Sequence, residues 1–148
     1  MAEHLLRFPG TTGGLHDAVV ALREILDARG LQPRHRHDVE LVFEEMASNI
    51  VNYGRPTHDV EVLIRFDDET LLTFEDDGVA FDPRAQPPPP VADTPSQLRI
   101  GGLGIVIVRD LCSRFDYERT SDNRNRLTLA IPMLRDDPDP TGEVPAVR

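Results

Sequence analysis

At 148 residues the chain is long enough for one domain, with 26 acidic side chains against 16 basic ones and a formal charge of -10. All 16 basic residues are arginine, which excludes a P-loop nucleotide site, a eukaryotic-type protein kinase and Schiff-base chemistry, because each needs a lysine amine. The acidic balance also excludes a nucleic-acid binder that works by neutralising phosphates. Any phosphate handled by this chain has to meet backbone amides, a metal and a few arginines.

Glu3 to Phe8 reads as a short strand closed by Pro9-Gly10. Leu15, Val19, Leu22, Ile25 and Leu26 then recur at helical spacing, and Gly30 stops that helix. A second helix is predicted from Arg34 to Tyr53, with Val39, Val42, Phe43, Met46, Ile50 and Tyr53 facing inward and Gly54 and Pro56 ending it. His35-Arg36-His37 near its start reads as solvated, since side chains at i and i+2 diverge on a helix. Val60, Val62, Ile64 and Phe66 alternate, Asp67-Asp68-Glu69 turns the chain, and Leu71 to Phe74 returns as the second arm of a hairpin.

Six of the 13 prolines fall between residues 83 and 95, which predicts a long loop. Leu103 to Leu111 reads as a third helix opened by a glycine cluster, and Arg114 to Arg119 and Arg126 to Ile131 as two further strands. Cys112 is the single cysteine, which rules out an internal disulfide or a cysteine-based zinc site and leaves it a packing role. From residue 135 the chain is rich in Asp, Pro and Gly, so a domain over 1–134 and a disordered acidic tail over 135–148 are expected. No apolar run approaches the roughly 20 residues of a membrane span, and the first eight residues lack a signal peptide's basic start and apolar core. A cytoplasmic chain with no membrane association is expected. The element order predicts an α+β class: a two-layer sandwich, with helices on one face of a mixed, mostly antiparallel sheet.

Three segments carry chemistry. On the second helix, Glu45 and Asn49 are four residues apart and share a face. A carboxylate there can accept a proton from a nucleophile, and a carboxamide oxygen can ligate a hard cation such as Mg²⁺. Asp76-Asp77-Gly78-Val79-Ala80-Phe81-Asp82-Pro83 follows a strand directly. A carboxylate at a strand end can accept a hydrogen bond from an exocyclic amine, and a glycine next to it lets a planar base approach the backbone. Gly101-Gly102-Leu103-Gly104 opens the third helix, where exposed amides and the positive end of the helix dipole suit phosphate oxygens. Taken singly, each has an ordinary explanation: a solvated helix face, an Asp-Gly turn, a tight loop.

In this order the three segments resemble the N, G1 and G2 boxes of the GHKL (Bergerat-fold) ATPases, and most of all the small anti-sigma-factor serine-protein kinase branch. Glu44 to Tyr53, Asp76 to Pro83 and Gly101 to Ile105 carry the resemblance, followed by Tyr117 and the run Asn125-Arg126-Leu127-Thr128-Leu129. It covers roughly residues 3 to 133. The resemblance implies Glu45 as general base on a serine hydroxyl or on water, and Asn49 as the Mg²⁺ ligand. It implies Asp76 on the adenine amine with Gly78 and Ala80 beneath the base, residues 84 to 100 as an ATP lid, and Gly102, Leu103 and Gly104 at the phosphates. Thr128 is expected near the nucleotide, and Arg84 and Arg99 are the cations expected near the triphosphate, Arg99 being the better placed. Tyr53 stands where many relatives have His, and Ala80 where many have Gly. The implied activity is ATP-dependent phosphorylation of a STAS-domain antagonist on serine, together with sequestration of a sigma factor, by a homodimer with ATP and Mg²⁺ and without direct contact to nucleic acid. A nucleotide-sensing binding module of the same fold, with little kinase activity, is the alternative; the presence of Glu45 argues against it. A detached histidine-kinase catalytic domain fits less well, because a dimerisation helix pair is lacking.

Overall fold

The computed structural model describes residues 2–85 and 102–133. Within them the elements run β1 (Ala2–Phe8), α1 (Thr12–Arg29), α2 (Pro33–Asn49), a π-helical turn (Ile50–Gly54), β2 (Val60–Phe66), β3 (Glu69–Asp76), a 3₁₀ turn (Pro83–Ala85), α3 (Gly102–Leu111), β4 (Arg114–Arg119) and β5 (Asn125–Pro132). The five strands form one sheet in the order β1-β2-β3-β5-β4. The expected sheet was mixed; all four pairings are antiparallel. After β3 the chain passes through α3 to the edge strand β4 and returns inside it as β5. Asp76, the last residue of β3, thereby lies opposite Asn125, the first of β5.

Local chemistry sets the helix ends. Thr11 Oγ1 accepts from Gly14 N at 3.0 Å to cap α1, and Gly30 closes it in the left-handed region at φ 71°. Pro33 opens α2, where its missing N–H costs no hydrogen bond. The inner face of α2 is the predicted one through Ile50: Val39, Val42, Phe43, Met46 and Ile50 are buried against the sheet. Phe43 lies between Phe8 and Phe74, with ring centroids at 6.4 and 5.6 Å. Each such large apolar side chain contributes about 1.5–3 kcal/mol on burial. Along β2 and β3 alternate residues are buried against the helices. The opposite face carries cross-strand ion pairs, among them Arg7–Glu61, Arg65–Glu3 and Arg126–Glu75. That is the two-layer sandwich the element order predicts, with no second layer on the other sheet face among the described residues.

Three expectations are corrected. The second helix does not stay α-helical to Tyr53; it widens into the π turn after Asn49. The wider turn changes the angular step per residue, and Tyr53 ends 36% exposed instead of facing inward. His35, read as part of a solvated start, is buried: its Nδ1 donates to the Pro132 carbonyl (3.1 Å) and its Nε2 accepts from the Thr70 hydroxyl (2.7 Å). A carbonyl can only accept, so its contact fixes the neutral tautomer. Cys112 is half-buried, and burial pushes its thiol up to about 12, in keeping with packing. The expected tail over 135–148 and residues 86–100 of the expected lid lie outside the described residues. Among the described residues no helix is long and apolar enough to cross a membrane.

Candidate functional site

The site lies where the C-terminal half of α2, the end of β3 and the start of α3 meet. Glu45 stands one helical turn before Asn49, on the side of α2 that faces α3. A Cβ built at Gly104 would lie 2.1 Å from Glu45 Oε2 and 2.8 Å from its Cδ. Only a glycine at this position lets the carboxylate rest against the first turn of α3, whose leading amides have no intrahelical acceptor. Burial raises the pKa of Glu45, and the like charge of Glu44 raises it further. Its other side borders an open groove of about 480 Å³ between α1 and α2, lined by Thr12, Leu15, Val19 and Ser48 among others.

Asp76 is 2% exposed. Its Oδ1 accepts from Gly78 N at 2.8 Å and from Asn125 Nδ2 at 3.1 Å. Asp76 and Asn49 line one small cavity together with Met46, Ile50, Phe81 and Tyr117. Its volume, about 20 Å³, is room for roughly one water. Phe81, part of the cavity wall, is stacked on Tyr53 with ring centroids 5.7 Å apart and planes 6° from parallel.

Gly78 has a structural reason of its own, beside the expected approach of a base. A Cβ there would meet the Gly54 carbonyl oxygen at 2.1 Å. The same carbonyl accepts from Val79 N at 2.8 Å, so the end of the π turn and the segment after β3 are held backbone to backbone. Asp77 closes this corner from outside, accepting from Thr57 N and His58 N on Oδ1 and meeting His58 Nδ1 with Oδ2. These contacts, led by the His58 side chain, hold its pKa down at about 2.

Glu45, Asn49, Asp76, Gly78 and Gly104 are therefore gathered around one end of α2, with Gly102 and Leu103 opening α3 beside them. Ala80 is exposed on the segment after Asp76. Thr128 is not brought to the site. It alternates with the buried Leu127 and Leu129 and pairs with Thr73 and Asp116, on the sheet face away from the helices. Arg84 is engaged by Asp82 through Nε (3.0 Å) and Nη2 (2.9 Å), and Arg109 donates to its carbonyl. Arg99 lies outside the described residues. A cation that sequence reasoning missed, Arg119 on the edge strand, reaches the Gly78 carbonyl at 2.8 Å.

The described residues contain no cluster of three or more His, Cys, Asp or Glu able to hold a metal. Mg²⁺ does not require one: it keeps waters and takes its other ligands from substrate phosphates, with one or two protein oxygens. Asn49, which lines the small cavity with Asp76 and stands one helical turn after Glu45, offers one such oxygen.

Asn125 was also missed as a site residue. It faces inward with Leu127 and Leu129, and a carboxamide at a position of inward parity was the available signal.

Comparison with known proteins agrees with this fold. A chain of Bordetella bronchiseptica named serine/threonine-protein kinase BtrW is 29% identical over 117 residues, covering 76% of this chain and 82% of that one. The solved RsbU and RsbW domains of Rv1364c from Mycobacterium tuberculosis superpose with a TM-score of 0.62 at 15% identity over 89% of this chain, which spans about a third (32%) of that longer chain. In the SiaB–SiaC complex from Pseudomonas aeruginosa, the matching chain gives a TM-score of 0.64 at 21% identity, over 86% of this chain and 88% of that one. The model of the histidine kinase-like ATPase domain matches residues 8–131. With the sandwich, the α2 carboxylate and the glycine-opened α3 all in place, this chain belongs to the histidine kinase-like ATPase domain family.

Proposed function

We infer that the chain is an ATP-dependent serine kinase of the anti-sigma-factor type, phosphorylating a STAS-domain antagonist and sequestering a sigma factor. The observation that carries this reading is the placement of the Glu45 carboxylate against Gly104, which joins a proton acceptor to the amides that open α3. In this reading Asp76 takes the adenine amine, Asn49 holds Mg²⁺, and Gly102, Leu103 and Gly104 face the phosphates. The metal supplies charge neutralisation on the triphosphate when bound.

The chain's own part is then positioning and one proton transfer. An acceptor serine reaches Glu45 from the open groove between α1 and α2. Its hydroxyl proton passes to Glu45 Oε2 as its oxygen bonds to the γ-phosphorus, and the bond to the β,γ-bridging oxygen breaks to release ADP. Burial first and the like charge of Glu44 second raise the pKa of Glu45, which makes it a stronger proton acceptor than an ordinary carboxylate. BtrW is a relative named as a serine/threonine kinase, and SiaB is a structural neighbour solved with a protein partner. Both favour kinase action on a protein over a free nucleotidase. A homodimer is the expected assembly.

The test has two parts. Calorimetric titration with Mg-ATP and Mg-ADP is expected to show binding below millimolar concentration; no binding of either overturns the site. Incubation with labelled ATP and a STAS-domain protein is expected to label a serine on that protein. Binding without labelling favours a nucleotide-sensing module instead.

A further inference from the structure

Asn125 is 5% exposed, and its side chain makes five hydrogen bonds among the described residues. Its Oδ1 accepts from Phe81 N (3.3 Å), Arg119 Nη1 (3.2 Å) and the Tyr117 hydroxyl. Its Nδ2 donates to Asp76 Oδ1 (3.1 Å) and to the Val79 carbonyl (2.8 Å). The partners fix the amide's orientation. Turned over, the NH₂ would face two groups that can only donate, Phe81 N and Arg119 Nη1, and the oxygen would face two acceptors. No polar group of Asn125 is left to touch a ligand, so whatever it does for binding it does through its neighbours.

Those neighbours are the ones that matter. Among the described residues both hydrogen bonds to Asp76 fall on Oδ1, one from Gly78 N and one from Asn125. Two donors on one oxygen fix the rotation of the carboxylate and leave Oδ2 as the oxygen available to an incoming donor. The bonds to Val79 O and Phe81 N hold the segment after Asp76 to the first residue of β5. Arg119 ties the same segment through the Gly78 carbonyl.

We propose that Asn125 is the positioning residue of the base-reading carboxylate, setting Asp76 so that the site accepts a purine with an exocyclic 6-amino group and rejects a 6-oxo purine. The inference rests on the nucleotide reading given above. A carboxylate held in one rotation presents an acceptor to an amine and opposes a carbonyl oxygen; one free to turn no longer discriminates sharply.

The experiment is calorimetric titration of wild type, Asn125→Leu, Asn125→Asp and Tyr117→Phe with Mg-ATP and with Mg-ITP, whose base carries a 6-oxo group and a proton on N1 where adenine has a 6-amino group and a bare N1. Asn125→Asp is close to isosteric and replaces the donor facing Asp76 with an acceptor. Wild type is expected to prefer ATP by at least about tenfold. In both Asn125 variants ATP affinity is expected to fall about tenfold or more while ITP affinity changes less than about threefold, so the preference collapses. Tyr117 lines the cavity, so Tyr117→Phe is expected to shift the affinity for both nucleotides alike; it leaves both Nδ2 bonds of Asn125 in place, and the ratio between the nucleotides stays. Equal weakening of both nucleotides or an unchanged preference in the Asn125 variants, or the same collapse of preference in Tyr117→Phe, overturns the proposal. Circular dichroism reports folding. If only Asn125→Leu unfolds, Asn125→Asp decides; if both unfold, the residue is structural and the proposal falls. A wild type that binds both nucleotides equally overturns the assignment of Asp76 to the base, a separate failure from that of Asn125.

Discussion

The Glu45 carboxylate occupies the space that any side chain at Gly104 would need, with Oε2 2.1 Å from where that Cβ would stand. The α2 acid and the α3 glycine are thus one structural unit, although they lie far apart in the sequence. The atom in the way is the far end of a flexible side chain, so a larger residue at 104 moves the carboxylate and leaves the backbone in place.

Gly104→Ala is therefore expected to separate activity from stability. Alanine improves helix propensity by up to about 1 kcal/mol, so thermal unfolding holds steady or rises. Phosphotransfer is expected to fall about 10²-fold, because displacing a reacting group by about 1 Å costs that much. Unfolding curves and initial rates on one preparation check both halves. Full activity in the variant breaks the link between the two residues.

Glu45→Ala is expected to lower phosphotransfer by roughly 10²–10⁴-fold, the usual range for losing a general base. ATP affinity, measured by titration, stays near wild type, since Asp76 and the α3 amides are untouched. A variant that keeps its kinase rate removes Glu45 from the base role.

The acid limb of the rate profile follows from the same residue. A base works deprotonated, so the rate falls as pH drops through its pKa. Burial first and Glu44 second raise that pKa above the ordinary carboxylate value of 4.5, so the midpoint of kcat/KM lies above it. Glu44→Gln removes the smaller cause and moves the midpoint down only part of the way. An unmoved midpoint contradicts the Glu44 contribution.

His35 makes stability depend on pH in a definite direction. Burial lowers its pKa below 6.5, against the opposing pull of the Pro132 carbonyl and Asp38. The unfolded chain then binds the proton more readily than the folded one. The contribution is complete above pH 6.5 and is lost as pH falls below that value through the folded pKa. Urea unfolding at pH 7.5 and 5 is expected to show this loss, and His35→Gln to shrink it. The variant also costs about 1–3 kcal/mol at pH 7.5 through the disturbed Thr70 and Pro132 contacts.

Gly78 contrasts with Gly104. A Cβ at 78 meets a backbone carbonyl that is already bonded to Val79 N, and that atom cannot swing aside. Gly78→Ala is expected to cost about 1–3 kcal/mol of stability by overpacking, read as a lower unfolding midpoint, and to weaken ATP binding along with it.

Much of this molecule was legible in its residues. The alternation of Val60 to Phe66 gave the strand its face, and the spacing of Leu22 and Leu26 or Val39 to Met46 gave the helices theirs. The failures have separate physical causes, and remote partners are one of them. His35 looked solvated because its acceptor, Pro132, and its donor, Thr70, come from distant strands. Tyr53 was placed inward by a helical period that the π turn interrupts. Thr128 was tied to the nucleotide by resemblance alone, whereas the parity of Leu127 and Leu129 already turned it away. The boxes point to Glu45 and Asp76 as candidates, whereas Asn125, which touches Asp76, offers only an inward amide among leucines.

The π turn at Ile50–Gly54 makes chain length a quantity in its own right. Shortening the turn by one residue would let α2 continue as a regular helix, which is locally favourable. Every following residue would then swing by about 100° around the axis, and the Gly54 carbonyl would leave Val79 N and Gly78. Side-chain changes at the half-buried Val51 or exposed Asn52 leave that tie intact. A single-residue deletion uncouples the helical layer from the Asp76 corner, so this stretch is a gauge block whose count of residues matters more than their identity.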